Sequence, residues 1–139
     1  MSKVAIIYWS GTGNTQAMAE LIAQGVSEAG GEADVIEVND WDASIMPDYD
    51  AFAFGCPAMG DEELDEEEFA PVYYAAAPLT DNKKTVLFGS YDWHDGEWMD
   101  TWAGQATGTI NLLTTVIAKD YPRGEAADAC IDAGRQLAE

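Results

Sequence analysis

The chain has 139 residues, 47% of them hydrophobic, with 26 acidic residues against 6 Lys and Arg and a formal net charge of -20. That length suits one domain spanning residues 1–139 and excludes two, and the apolar content excludes a disordered chain. So acidic a surface repels nucleic acid and anionic lipid, and it favours basic protein partners or simply solubility.

The first predicted element is a strand, Lys3–Trp9. Its apolar run Val4-Ala5-Ile6-Ile7-Tyr8-Trp9 is too short for a signal peptide's core or a membrane span, so a cytoplasmic protein is expected. The loop Ser10-Gly11-Thr12-Gly13-Asn14-Thr15 follows. Two glycines let its backbone curl, four polar side chains add neutral donors, and the next helix points its positive end at the same spot. The loop holds no Lys or Arg and matches neither the Walker A pattern nor GxGxxG, since position 16 is Gln. It reads as a cradle for a phosphate that is held and does not react; an ordinary Gly-rich turn is the simpler alternative.

Further along, a helix is predicted over Thr15–Ala29, with Met18, Leu21, Ile22 and Val26 on one face and Gly30-Gly31 ending it. Strands are expected at Ala33–Val38 and Asp50–Cys56, with at most a short helix over Asp40–Met46 between them. The second notable loop, Pro57–Glu63, runs into the acidic stretch Asp61–Glu68 and then a helix within Glu66–Ala77. Met59 offers a polarizable thioether to a flat ring or to the core. Gly60 opens backbone angles closed to other residues. A strand over Thr85–Ser90 leads to the third loop, Tyr91–Trp98. There Trp93 sits in a polar turn where no core demands it, and His94 is the chain's one histidine. Trp98 and Trp102 are spaced to anchor the helix Glu97–Gln105 to the core. A strand near Thr109–Ala118 and a helix over Gly124–Ala138 complete the chain.

This alternation implies an α/β fold: a doubly wound parallel sheet with right-handed crossovers. All three notable loops follow strands, so they gather on the C-terminal edge where such folds bind ligands. Phosphate donors beside flat-ring stackers point to a nucleotide with a broad planar ring, and FMN fits. Cys56 and Cys130 read as buried reduced thiols, and no cluster of Cys and His suggests a metal site.

Three stretches carry a family resemblance. They are Tyr8 to Thr15, Gly55-Cys56-Pro57-Ala58-Met59-Gly60-Asp61-Glu62, and Leu87 to Tyr91 followed by Trp93, Asp95-Gly96 and Trp98-Met99. The chain resembles a short-chain flavodoxin of the kind found in anaerobic bacteria. The resemblance implies a flavodoxin-like three-layer sandwich, a five-stranded parallel sheet of order 2-1-3-4-5, and non-covalent FMN. It also implies low-potential one-electron transfer between semiquinone and hydroquinone, with no catalysis. By position, Ser10, Gly11, Thr12, Gly13, Asn14 and Thr15 would hold the phosphate. Pro57, Ala58, Met59, Gly60, Asp61 and Glu62 would meet the ring, with Met59 on its inner face and Glu62 at its pyrimidine edge. The Gly60–Asp61 carbonyl would accept a hydrogen bond from the protonated N5 of the neutral semiquinone. Ser90, Tyr91, Trp93 and Asp95 belong to the third loop, with Trp93 on the outer face. Asp92 and His94 stand where such relatives usually carry small residues, and Pro57 stands where some carry Ser. The expected partners are basic-faced redox proteins, reductases or oxidoreductases, meeting a monomer.

Other functions fit the residues less well. A signalling receiver needs an acidic cluster after the first strand, where Ser10-Gly11 stands. A Cys56 phosphatase needs an Arg a few residues downstream, yet none occurs before Arg123. An FMN-dependent quinone or nitro reductase remains the alternative, and it requires an open substrate pocket over the ring.

Overall fold

The computed structural model describes residues 2–11, 13–59, 65, 67–92 and 96–139. Five strands are β1 (Lys3–Tyr8), β2 (Glu32–Glu37), β3 (Ala51–Gly55), β4 (Lys84–Tyr91) and β5 (Asn111–Lys119). Four helices are α1 (Asn14–Glu28), α2 (Phe69–Ala76), α3 (Glu97–Ala106) and α4 (Glu125–Ala138). The sheet order is β2-β1-β3-β4-β5 and every neighbouring pair is parallel, as the alternation predicted. In the middle of the sheet Ile7 lies beside Ile36 on one side and Phe54 on the other.

Continuous apolar strands need cover on both faces. One face packs under α1 and α4. Val4, Ile6, Ala53, Val86 and Phe88 meet Met18, Ile22, Val26, Cys130 and Leu137 there. The two helices cross at glycines: a Cβ on Gly25 would lie 1.9 Å from the Ile131 carbonyl oxygen, and one on Gly134 would lie 2.0 Å from that of Ile22. The opposite face is aromatic. Phe52 and Phe54 meet Phe69 and Tyr73 of α2 and Trp98 and Trp102 of α3. Trp98 and Trp102 are buried as expected of core anchors.

Element ends shift by one to three residues for local reasons. The Thr109 and Ile110 N–H groups both turn back to the Ala106 carbonyl, so β5 starts only at Asn111. Helix α2 starts at Phe69 because Asp65 stops the chain ahead of it. One Asp65 carboxylate oxygen accepts from the N–H groups of Glu68 (2.7 Å) and Phe69 (3.0 Å), filling donors the helix cannot pair itself. The segment expected to be at most a short helix forms two short 3-10 turns, Val38–Asp40 and Ala43–Asp48.

Candidate functional site

The ladder between strands continues past their C-terminal ends and fixes the loops. Trp9 N–H donates to the Gly55 carbonyl (3.0 Å), Cys56 to Phe88 (3.1 Å), Ala58 to Ser90 (2.9 Å) and Asp120 to Tyr91 (2.7 Å). These bonds gather Gly11, Asn14, Pro57, Ala58, Met59, Ser90 and Tyr91 around one cavity of about 270 Å³. The three loops singled out in the sequence therefore meet as expected. Trp9, Asp92 and Asp120 complete the described wall.

At one end of the cavity lies the N-terminus of α1. Gly13 precedes it with φ 95°, a left-handed conformation that suits a residue without Cβ. Its N–H is spent on the Ser10 hydroxyl oxygen at 2.9 Å. No side chain caps the helix, and its first turn holds no acid despite the chain's composition. The first-turn N–H groups and the remaining hydrogen of Ser10 are left as a neutral, positively polarised donor set. Thr15 acts otherwise. Its buried hydroxyl shares a hydrogen bond with the Ser90 hydroxyl at 2.9 Å and accepts from the Ser90 N–H at 3.4 Å. Thr15 thus ties α1 to the end of β4, and what it can offer an anion is its backbone N–H.

The other end of the cavity is apolar and flat-walled. Met59, Ala58 and Tyr91 are half-buried in its lining. Trp98 braces Tyr91, with ring centroids 5.8 Å apart. The Trp9 indole N–H donates to the carboxylate of Glu68, which holds that ring against the loop preceding α2. Six residues expected here, Thr12, Gly60, Asp61, Glu62, Trp93 and Asp95, lie outside the described residues, as does His94.

Sequence reasoning did not assign Trp9 or Asp120 to the site. Trp9 carried a signal, since it is the last apolar residue before the Gly-rich loop. Asp120 also had one: it follows β5, and every turn after a strand opens on the same edge of a parallel sheet. The thiols play no part in the lining. Cys56 and Cys130 are free and fully buried, and burial pushes each thiol up to about 12, so neither supplies a thiolate near neutral pH.

The bases are unevenly placed across the sheet. Lys3 and Lys84 open their strands, Lys83 precedes one, and Arg135 ends α4 on that same edge, where Lys84 reaches the Glu139 carbonyl at 2.7 Å. Of the six bases, only Lys119 and Arg123 follow the C-terminal strand edge. Glu68, Asp92, Glu97, Asp120 and Glu125 are exposed on that edge.

These residues fit FMN. Uncharged N–H and O–H donors at a helix start suit a phosphate monoester. A thioether and aromatic side chains at the other end suit a planar ring. The flavodoxin family model matches residues 6–134. A flavodoxin of Clostridium beijerinckii is 42% identical over 135 residues, covering 96% of this chain and 97% of its own. One of Megasphaera elsdenii is 39% identical over 137 residues, covering 98% of each chain. The solution structure of the two-electron reduced Megasphaera elsdenii flavodoxin superposes with a TM-score of 0.89 over 97% of this chain and 98% of that one. With its strand order, its cavity and these relatives together, the chain belongs to the flavodoxin family, whose members carry electrons on bound FMN and are not enzymes.

Proposed function

We propose that the cavity at the C-terminal strand edge holds FMN for a low-potential one-electron carrier, with all of residues 1–139 forming one FMN-binding unit. The observation that carries this reading is the uncapped, acid-free start of α1 opening on a cavity walled by Met59, Trp9 and Tyr91. When bound, FMN supplies reversible one-electron chemistry. The chain's residues bind and tune it. Ser10, Gly11, Thr12, Asn14 and the Thr15 N–H hold the phosphate, with Gly13 turning the loop and binding the Ser10 hydroxyl that faces it. Met59 and Trp93 flank the ring. Pro57, Ala58, Gly60, Asp61, Glu62, Ser90, Tyr91 and Asp95 line its edge.

Asp92 and Asp120 are the charged groups in the described wall, and both are acids. Facing solvent at the cavity rim, they still oppose a gain of negative charge nearby, which lowers the more negative of the two midpoint potentials. Asp120→Asn should raise that potential by about 40 mV, equivalent to about 1 kcal/mol of charge interaction. An anaerobic redox titration checks this. A potential unchanged by Asp120→Asn would remove the wall carboxylates from the account.

The acidic edge docks basic-faced reductases or oxidoreductases onto a cytoplasmic monomer. The placing of four of the six bases on the opposite sheet edge supports this orientation. Electron transfer to a basic redox protein such as cytochrome c should slow at least tenfold between 10 mM and 200 mM salt. A rate indifferent to salt would contradict acidic docking.

A further inference from the structure

Trp9 is the largest side chain in the described wall of the cavity. Its backbone is fixed by the N–H bond to the Gly55 carbonyl at 3.0 Å. Its ring packs on the aromatic core and lies against Gly11 of the phosphate loop, where a Cβ would stand 3.3 Å from the ring's Cη2. The residue is only half-buried. A ring that solvent reaches changes rotamer within nanoseconds unless a contact at its edge holds it.

Glu68 supplies that contact, because its carboxylate accepts the Trp9 indole N–H. Glu68 is exposed and is not part of the described wall, so it reaches the cavity through Trp9. Its own backbone is anchored. The Glu68 N–H donates to the Asp65 carboxylate at 2.7 Å, and Asp65 is buried, with its N–H 3.4 Å from the Cys56 sulfur. A carboxylate close to a phosphate site is otherwise unfavourable, and the first turn of α1 carries no acid. As a bare charge Glu68 opposes the phosphate. As an acceptor it fixes the ring beside the loop that binds the phosphate. The two effects have opposite signs.

On the reading of the cavity as an FMN site, we infer that Glu68 is a positioning residue for FMN. It acts through Trp9: the carboxylate holds the indole against Gly11, and the ring in turn keeps the phosphate loop in its binding shape. Without the bond the ring is in place for only part of the time, and affinity falls by that fraction.

Calorimetric titration of flavin-free protein with FMN tests this. Glu68→Ala removes acceptor and charge together, and it should weaken FMN about fivefold to tenfold. Glu68→Gln removes the charge and keeps an acceptor, so it should stay within about twofold of wild type. Trp9→Phe keeps a ring and removes the donor, and in that background Glu68→Ala should no longer weaken FMN. The second readout needs no flavin. In ¹H–¹⁵N spectra of the flavin-free protein the Trp9 indole signal should move upfield in Glu68→Ala and stay near its wild-type position in Glu68→Gln. Tighter FMN binding in both variants would make Glu68 a bare charge and overturn the proposal. So would Glu68→Ala that binds FMN as wild type does, or a Trp9 indole signal indifferent to that change. Those results, in a wild type that binds FMN, strike the positioning role alone; a wild type that binds no FMN sinks the site reading and this role with it.

Discussion

The two helical layers solve the same burial problem in opposite ways. Between α1 and α4 the contact is made by small groups, with Gly25 and Gly134 bringing backbone against backbone above the aliphatic side chains that cover the sheet. Beneath α2 and α3 it is made by Phe54, Phe69, Tyr73, Trp98 and Trp102, large rings that meet at angles. Close backbone packing leaves no room to adjust, so the first layer is a fixed mount for the helix whose N-terminus opens on the cavity. Rings packed edge to face leave gaps, so the second layer holds a cavity. The tight backbone crossing therefore lies under the end of the cavity where α1 begins, and the ring-packed layer lies on the other face, where Glu68 just ahead of α2 reaches Trp9.

The largest effect that would sharpen this contrast comes from the glycine crossing. Gly134→Val drives a side chain into the Ile22 carbonyl and should cost about 3 kcal/mol or more in urea unfolding. A loss under 1 kcal/mol would mean that α1 and α4 can slide apart and would break the comparison. The smallest effect belongs to the other layer. Trp102→Phe keeps an aromatic ring against Tyr73 and deletes only the indole N–H beside its hydroxyl, so most of the packing survives. Its net change should stay within about 1 kcal/mol, read from the same unfolding curves. A loss as large as that of Gly134→Val would show the two layers to be equally intolerant.

Much of this arrangement was legible in the residues. Apolar strand runs alternating with amphipathic helices fixed the sheet's class, and strand-following loops fixed the edge where the site lies. The Gly-rich loop marked a set of neutral donors at a helix start, and that helix start does open on the cavity. What escaped depends on pairs distant in sequence. Thr15 meets Ser90 across 75 residues and Trp9 meets Glu68 across 59, and neither pairing leaves a periodic trace. Asp65 looked like one acid in a solvated run, yet it is buried and caps α2, because a helix start needs one acceptor whatever its neighbours are. The glycine crossing was hidden for a different cause: Gly25 and Gly134 interrupt good helical patterns, and only the facing helix gives them a reason.

The central claim is that an uncharged donor set at the start of α1 holds a phosphate ester. Calorimetric titration of the protein freed of flavin, with FMN and with riboflavin, tests it most directly. Several charge-assisted hydrogen bonds to one phosphate predict FMN binding at least a hundredfold tighter than riboflavin, with the gap narrowing in Ser10→Ala. Equal affinity for the two flavins would contradict the account.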